Sequence, residues 1–161
     1  MTIHTEPLTP AAFAPFGDIL DCAGDPDRLI NEGRCGRWHD RARLDFDAAG
    51  RGGISLFRSE AARLPLALTL LERHPLGSQA FIPMTQEPFL VVVAGDRGGV
   101  PGGIRAFLTA PGQAVNIGRN IWHGVLTPLA EPGLFAVVDR IGPGVNLEEY
   151  RLPEPRQIIR G

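Results

Sequence analysis

Short apolar or alternating runs separated by Gly, Pro and Asn dominate the chain and predict a structure made mostly of β-strands. From residue 66 onward these runs recur at roughly 8–12-residue spacing, which is typical of a β-sandwich or a β-barrel. The predicted strands are Ile54–Arg58, Leu66–His74, Gln79–Met84, Phe89–Ala94, Ile104–Thr109, Gln113–Ile117, Ile121–Leu126 and Leu134–Asp139. The run from Phe89 to Ala94 is apolar at every position, which indicates a strand covered on both faces.

The pattern is less decisive in two segments. The leucines of Leu66–His74 also fit a helical period, but Pro65 and Pro75 bracket the segment and the segments that follow favour a sheet. Arg43–Asp47 alternates charged and apolar residues, so a short additional strand is predicted there. We therefore expect β-structure in both segments.

The N-terminal region carries the signals of a short helix. Thr9 is a candidate cap, Pro10 stands at the first helical position, and Gly17 can close the helix that Pro15 keeps short. Residues 21–36 combine Asp, Gly, Asn and Arg with little periodicity and predict a loop.

These elements predict one domain that spans residues 1–161. Residues 1–50 are expected to be partly loop and helix, and the barrel is expected at about 54–140. The segment 141–161 is expected to be a C-terminal tail, whose end, from residue 152, carries two prolines and is predicted to lie on the surface.

Composition removes several classes of function. All 16 basic residues are Arg, so no lysine is present to form a Schiff base or to complete a P-loop. With 18 acidic residues the formal charge is -2, and no basic block is present, which argues against nucleic acid as the main partner.

Nothing in the chain predicts a membrane or secretory location. The longest apolar run, Phe89–Ala94, is far shorter than a membrane span, and the first residues lack the charged and apolar regions of a signal peptide. Cys22 and Cys35 fit neither a C-x-x-C motif nor a disulfide framework. The predicted compartment is the reducing cytoplasm.

The residues with the clearest chemical potential surround two of the four histidines. Glu72 and His74 share one face of a predicted strand, and a hairpin could aim Gln79 at the same pocket. His123 ends the segment Asn120-Ile121-Trp122-His123. If both segments line one barrel, two imidazoles, a carboxylate and an amide converge to bind a divalent metal or to perform acid–base catalysis.

The spacing of these residues resembles that of the two cupin motifs. Glu72-x-His74-x4-Gln79 is followed by Gly118-x4-His123, with Glu72 at the position of the first motif histidine and Gln79 at that of the motif glutamate. The resemblance implies a mainly β, cupin-like β-barrel (a double-stranded β-helix) with a few short helices. It makes Glu72, His74, Gln79 and His123 the candidate ligands of a divalent metal ion, although these replacements make the metal harder to predict.

A more specific resemblance lies in Leu71–Met84, which is similar to the signature segment of the ureidoglycolate lyase family within the cupins. Further fragments agree in order and span about residues 8 to 140; they are Phe16-Gly17-Asp18, Ile30-Asn31-x-Gly33, Trp38-His39-Asp40, Arg105-Ala106-Phe107, Val115-Asn116, Arg119–His123 and Asp139-Arg140. The resemblance implies a homodimeric carbon–nitrogen lyase of the amidine-lyase type. It would cleave (S)-ureidoglycolate into glyoxylate and urea in allantoin and purine breakdown.

This substrate is a hemiaminal, so its cleavage needs a base for the hydroxyl proton and an acid for the departing nitrogen. His74 or His123 is the candidate base, and Glu72 would orient it or share the proton. Gln79 and Asn116 are candidates to hydrogen-bond the urea or carboxylate group.

The substrate carboxylate must meet an arginine, backbone amides or a bound metal, because lysine is absent. Arg73 and Arg119 lie inside the motif segments and are the candidate arginines. Strand alternation turns Arg73 away from Glu72 and His74, however, which also allows a dimer contact or a role in a neighbouring subunit's site.

Other residues are predicted to be structural. Trp122 is expected on the face opposite His123. Asp139-Arg140 ends a strand and is interpreted as a structural ion pair, with a catalytic role as the alternative. Asn31 and His39 match the family, but the pattern does not place them relative to the barrel. Two alternative functions stay open: a metal-dependent isomerase or oxygenase on the same barrel, and a non-enzymatic module that binds small acids.

Overall fold

The computed structural model describes residues 1–161 as a mainly β, cupin-like structure, and this confirms the predicted fold class. The elements in chain order are β1 (Thr2–Pro7), α1 (Pro10–Phe13), β2 (Gly17–Leu20), β3 (Arg28–Ile30), β4 (Cys35–Arg37), β5 (Arg51–Ser59), β6 (Leu66–Arg73), β7 (Gln79–Pro83), β8 (Phe89–Asp96), β9 (Pro101–Leu108), β10 (Ala114–Ile117), β11 (Trp122–His123), β12 (Thr127–Pro128), β13 (Gly133–Ile141) and β14 (Glu148–Ile159).

Six strands of the larger sheet close into a barrel. Their order is β11-β6-β14-β1-β9-β8, and β11 also pairs with β8, which completes the ring. One cluster of buried side chains comes from these strands and forms the barrel core; its members are Leu68, Leu71, Leu90, Val92, Ala94, Ala106, Trp122 and Ile158. Closure leaves these six strands without a free edge.

The second sheet, in the order β2-β10-β7-β13-β5, is antiparallel throughout and packs over the outside of the barrel. The core between this sheet and the barrel contains Phe81, Val115 and Val137 from the second sheet together with Val91 and Val93 from β8. β8 therefore has one core on each face, which explains why its sequence is apolar at every position and confirms that prediction.

Both chain ends lie inside the larger sheet, so the C-terminal segment is a strand and not a tail, although most of its residues from 152 onward are exposed, as predicted. β14 pairs with β6 and β1, and β1 runs parallel to both β14 and β9. Pro153 and Pro155 fall where the register of β14 shifts, between Arg151 and Arg156. A strand tolerates proline at such an irregularity because no ladder hydrogen bond is required there.

Several local predictions have mixed outcomes. The short helix is confirmed as α1, and the hydroxyl of Thr9 accepts a hydrogen bond from the Ala12 amide at 3.4 Å. Leu66–His74 is confirmed as a strand. Arg43–Asp47 forms no strand and contributes only a bridge from Phe46 to Gly77, whereas the predicted loop over 21–36 contains the β3–β4 ribbon. No helix of the structure has the length and apolar character needed to cross a bilayer.

Candidate active site

Glu72 and His123 lie directly opposite each other where β6 pairs with β11. His123 also pairs with Val93 on β8, and Val93 belongs to the core between the barrel and the second sheet. The same-face rule of paired strands therefore directs His123 and Glu72 toward the second sheet. His74 follows the end of β6, and its ring centroid lies 5.2 Å from that of His123. Glu72, His74 and His123 each place a ligand atom within 4.8 Å of the others, as the sequence predicted for these segments.

Hydrogen bonds to backbone carbonyls set the tautomer of both imidazoles. His74 Nδ1 lies 2.6 Å from the Asn146 carbonyl oxygen, and His123 Nδ1 lies 3.0 Å from that of Gly124. Because a carbonyl only accepts, Nδ1 carries the proton in each neutral ring and Nε2 keeps its lone pair. Both Nε2 atoms are buried and have no hydrogen-bond partner. The site therefore contains two basic nitrogens that nothing in the protein occupies.

Burial shifts the pKa of two residues of this cluster, His123 and Glu72, away from the values that exposed groups have. Burial lowers the pKa of His123 to about 4, so this imidazole is neutral near pH 7. Burial also raises the pKa of Glu72, although the nearby His74 acts in the opposite direction. Glu72 thus holds a proton more readily than an exposed glutamate does.

Gln79 and Asp139 form a second polar pair beside this cluster. Gln79 begins β7 on the same face as Phe81, whose ring centroid lies 6.3 Å from that of His123. Gln79 Nε2 donates to Asp139 Oδ2 at 3.3 Å. The amide oxygen of Gln79, Oε1, and the second carboxylate oxygen of Asp139, Oδ1, are both buried without a partner. Polar groups that are buried and unsatisfied mark a place where a ligand can supply the missing hydrogen bonds.

Asp139 does not pair with Arg140, so the ion pair predicted for this dipeptide is wrong. Adjacent strand residues point to opposite faces, and Arg140 instead bonds the Asp47 carboxylate through Nε and Nη2. Asp139 thus belongs to the site region, the alternative that the sequence interpretation placed second. Its signal was strand parity, because Asp139 follows the buried Phe135 and Val137 at two-residue steps.

Asn116 lies away from the histidines, contrary to its predicted contact with substrate. Val115 and Ile117 face the inter-sheet core, which turns Asn116 to the outer face of the second sheet. There Asn116 Nδ2 donates to Asp18 Oδ2 and to the Arg43 carbonyl, each at 3.0 Å. The amide therefore attaches the segment around Arg43 to the sheet.

Arg73 is turned away from the cluster, as strand alternation predicted, and its charge is already neutralised. Its guanidinium contacts Asp96 at 2.8 Å and Glu148 at 2.6 Å, and it stacks over the Trp122 ring at 4.4 Å. The side chain is only 13% exposed, so two carboxylates occupy its donors at one end of the barrel. This placement does not fit the predicted contact of Arg73 with the substrate carboxylate.

Arg119 lies beside the turn that carries His74. Its Nε donates to the Pro75 carbonyl at 2.6 Å, and the next residue, Asn120, donates its amide to the His74 carbonyl at 3.0 Å. Asp45 lies 3.8 Å from its guanidinium, and the charge of Arg119 also contributes to lowering the pKa of Asp47. Of the two motif arginines, Arg119 is therefore the one with donors left for an anion.

Asn31 and His39 belong to the region around the β3–β4 ribbon, where both are exposed. The ribbon borders an open cleft of about 730 Å³ together with Ile82 and Ala114. Ile82 and Ala114 alternate with core residues and face the outside of the second sheet. The cleft thus lies on the side of this sheet that is opposite the histidines.

Comparison with known proteins gives one consistent family. A family model described as "Ureidoglycolate lyase" matches residues 1–159. The chain is similar to a protein of Rhodobacter capsulatus named ureidoglycolate lyase, with 69% identity over 93% of each chain. A protein of the same name from Chelativorans sp. is 51% identical over 97% of this chain and 95% of its own length. Another, from Burkholderia mallei, is 49% identical over 95% of this chain and 91% of its own length.

Proposed function

Because this chain belongs to the ureidoglycolate lyase family, we propose that it eliminates urea from (S)-ureidoglycolate at the cluster of Glu72, His74 and His123. The observation that carries this site is the convergence of Glu72, His74 and His123. Both imidazoles are left with a buried Nε2 that has no partner, and the Glu72 carboxyl group, whose pKa is raised, lies 4.0 Å from His123 Nδ1. Following the resemblance found in the sequence, we assign the reaction to allantoin and purine breakdown.

The reaction converts a hemiaminal into an aldehyde and an amide. A base removes the hydroxyl proton, the C–O bond becomes C=O, and the C–N bond breaks with its electron pair moving to nitrogen. An acid then protonates that nitrogen, which yields glyoxylate and urea. Each turnover therefore moves one proton from oxygen to nitrogen and needs two groups placed close together.

His74 and Glu72 are the pair that we assign to this proton transfer. His74 is only half-buried and presents Nε2 as the base, whereas His123 is 1% exposed and remains a neutral neighbour that holds the pocket's shape. Glu72 supplies the proton to the departing nitrogen. His74 then returns its proton to Glu72, and the site is reset for another turnover.

The substrate carboxylate is assigned to Arg119. Its guanidinium retains donors, and its position is fixed by the Pro75 carbonyl next to His74. A guanidinium can hold a carboxylate through two parallel hydrogen bonds, which would orient the hydroxyl-bearing carbon toward the imidazole.

The cupin fold also implies a divalent metal ion, and the same three side chains fit one. Each of the three side chains has a ligand atom within 4.8 Å of the others, and the His123 nitrogen found 4.0 Å from Glu72 is Nδ1. Both imidazoles keep a free Nε2 and have their tautomers fixed by backbone carbonyls, as metal-ligating histidines do. A bound ion would polarise the hydroxyl oxygen and attract the carboxylate. Gln79, the fourth candidate ligand, donates a hydrogen bond to Asp139, and we propose that it binds the substrate and not the metal. Metal analysis with and without a chelator tells a metal-bound cluster from a metal-free one.

A three-residue set of this kind also suits the alternative enzymes, a metal-dependent isomerase or oxygenase. The family match over residues 1–159 favours the lyase over these enzymes and over a non-enzymatic acid-binding module. We further propose a homodimer, following the family resemblance. We also propose a cytoplasmic location, which the unpaired and exposed Cys22 and Cys35 support.

The test of the proposed function is to incubate the purified protein with racemic ureidoglycolate and to measure glyoxylate and urea. We expect both products in equal amounts from one enantiomer. The His74→Ala variant should lower kcat by about 10²–10⁴-fold, because it removes the general base. His4→Ala is the matched control, since His4 is exposed on β1, and it should keep the wild-type rate. Wild-type turnover by His74→Ala would remove this residue from the mechanism.

A further inference from the structure

We infer that Asp139 and Gln79 recognise the ureido end of the substrate and thereby fix its orientation; this inference rests on the function proposed above. The position of the two residues is the first support. β7 and β13 are antiparallel, with Phe81 opposite Val137 and Ala80 opposite Val138. Gln79 and Asp139 therefore continue the inner faces of these strands, next to the Phe81 side chain that contacts the His123 ring.

The second support is that both unpartnered atoms of this pair are hydrogen-bond acceptors that lack a donor. Gln79 uses one amide N–H to reach Asp139 Oδ2, and the two atoms left without partners, Gln79 Oε1 and Asp139 Oδ1, are both acceptors. Buried acceptors are unfavourable without donors. The group that completes this pair must therefore bring hydrogen-bond donors, and an anion is disfavoured beside the Asp139 carboxylate.

Only one end of ureidoglycolate meets that requirement. Its carboxylate offers acceptors alone and would be repelled by Asp139. Its ureido group carries an N–H and an NH₂, which can donate to Oε1 and Oδ1 at the same time. Binding the ureido group here leaves the carboxylate for Arg119 and places the hydroxyl-bearing carbon between the two ends.

The charge of Asp139 is available for this role. Arg140, its neighbour in sequence, lies on the other face of β13 and is bonded to Asp47. Among the ion pairs of the structure none involves Asp139, and its carboxylate lies outside the cluster of Glu72, His74 and His123. Asp139 is thus a carboxylate beside the catalytic cluster with neither an arginine nor a candidate metal site to neutralise it.

The experiment compares two small acids as ligands of the wild-type protein and of Asp139→Asn by titration calorimetry. N-carbamoylglycine carries the ureido group and the carboxylate without the hydroxyl group, whereas glyoxylate carries no ureido group. For Asp139→Asn we expect the Kd of N-carbamoylglycine and the KM of ureidoglycolate to rise about 10- to 100-fold, because a charge-assisted hydrogen bond is lost. The Kd of glyoxylate should stay within about 2-fold, since its contacts are retained.

Asp21→Asn is the matched control, because Asp21 accepts from Gln113 Nε2 at 3.0 Å in an equivalent pair outside the site. It should leave both ligands unaffected. If Asp139→Asn does not fold, Gln79→Met removes the other acceptor and should show the same selective loss. Equal weakening of both ligands, no weakening at all, or a wild-type protein that does not bind N-carbamoylglycine would overturn the inference. A wild-type protein that binds it selectively but releases no glyoxylate from ureidoglycolate would instead overturn the proposed function alone.

Discussion

His74 and His123 are the same kind of side chain, yet their surroundings give them different chemistry. Both rings donate Nδ1–H to a carbonyl, but His123 is 1% exposed and His74 is half-buried. Burial penalises the charged form of His123 and lowers its pKa to about 4. A proton that reaches the cluster in acid therefore destabilises the folded state when it is bound at His123.

This difference predicts how stability depends on pH. The pKa of His123 is about 4 in the folded state against an ordinary value of 6.5. Between these values the unfolded chain binds the proton and the folded chain does not, so stability present above pH 6.5 is lost as the pH falls toward 4. From pH 7.5 to pH 4.5 we expect His123 to contribute a loss of about 2–3 kcal/mol in the free energy of unfolding.

The measurement is urea unfolding at both pH values with a chelator present, for the wild type, His123→Gln and the exposed-histidine control His4→Gln. Carboxylates titrate in the same range, so all variants lose some stability in acid. The relevant quantity is how much the decrease in the free energy of unfolding from pH 7.5 to pH 4.5 differs between variants. The loss should be smaller in His123→Gln and unchanged in His4→Gln. Equal losses in all three proteins would show that His123 titrates normally.

Strand parity explains which residues of the site could be predicted from the sequence. It placed Glu72 with His74 and turned Arg73 and Trp122 away, and the structure agrees with each of these. For Asn116 the same rule points to the outer face, because Val115 and Ile117 belong to the core, and the predicted substrate contact did not use it. What the pattern does not contain is the partner of Asn116 on that face, Asp18, nearly a hundred residues earlier in the chain. The alternation of residues along the sequence predicts on which face of a strand a side chain lies, but it does not predict which other strand pairs with it.

At the level of elements, β14 shows how a local signal can mislead. Two prolines near the chain end are typical of a surface tail, but the register shift between Arg151 and Arg156 accommodates them. The strand resumes beyond the shift, and Ile158 is completely buried in the barrel core. The predicted Arg43–Asp47 strand fails for the opposite reason. Its backbone pairs only over the bridge from Phe46 to Gly77, where Asp47 donates to the Leu76 carbonyl and Ser78 donates to that of Asp45, and the Asp47–Arg140 pair also attaches the segment.

The buried position of Ile158 predicts a large effect at the end of the chain. Ile158→Ala removes methyl groups from the barrel core and should lower the free energy of unfolding by about 2–4 kcal/mol. The matched control Val145→Ala truncates an apolar side chain that is 82% exposed and should change it by about 0.5 kcal/mol or less. Urea denaturation measures both. A change as small as that of the control would mean that the C-terminal segment lies on the surface in solution.

On the scale of the whole molecule, β8 joins two cores into one structure. Its alternate residues belong to the barrel core and to the inter-sheet core, and the second core includes Val93, which pairs with His123. The candidate site therefore lies where the barrel wall meets the second sheet. This arrangement also leaves one side of the second sheet, the side opposite the histidines, without a partner over part of its area.

That uncovered area supports the proposed homodimer. Ile54 and Leu56 on the edge strand β5 are 77% and 68% exposed, and they lie opposite Val138 and Ala136 on β13. We define these four residues as the outer apolar face. An exposed apolar patch on an edge strand is a site for protein–protein contact, and a second copy of the chain is the partner that the family resemblance implies.

Light scattering of the purified protein should therefore give a mass of twice 17.4 kDa. Leu56→Arg places a charge in the middle of the outer apolar face and should shift the mass to that of one chain. It should not reduce the stability of the subunit, because the side chain is exposed. Val145→Arg, an equally drastic change at an exposed residue outside the face, should leave the dimer intact. A dimer that persists in Leu56→Arg would place the interface elsewhere, and a monomeric wild type at micromolar concentration would reject the homodimer itself.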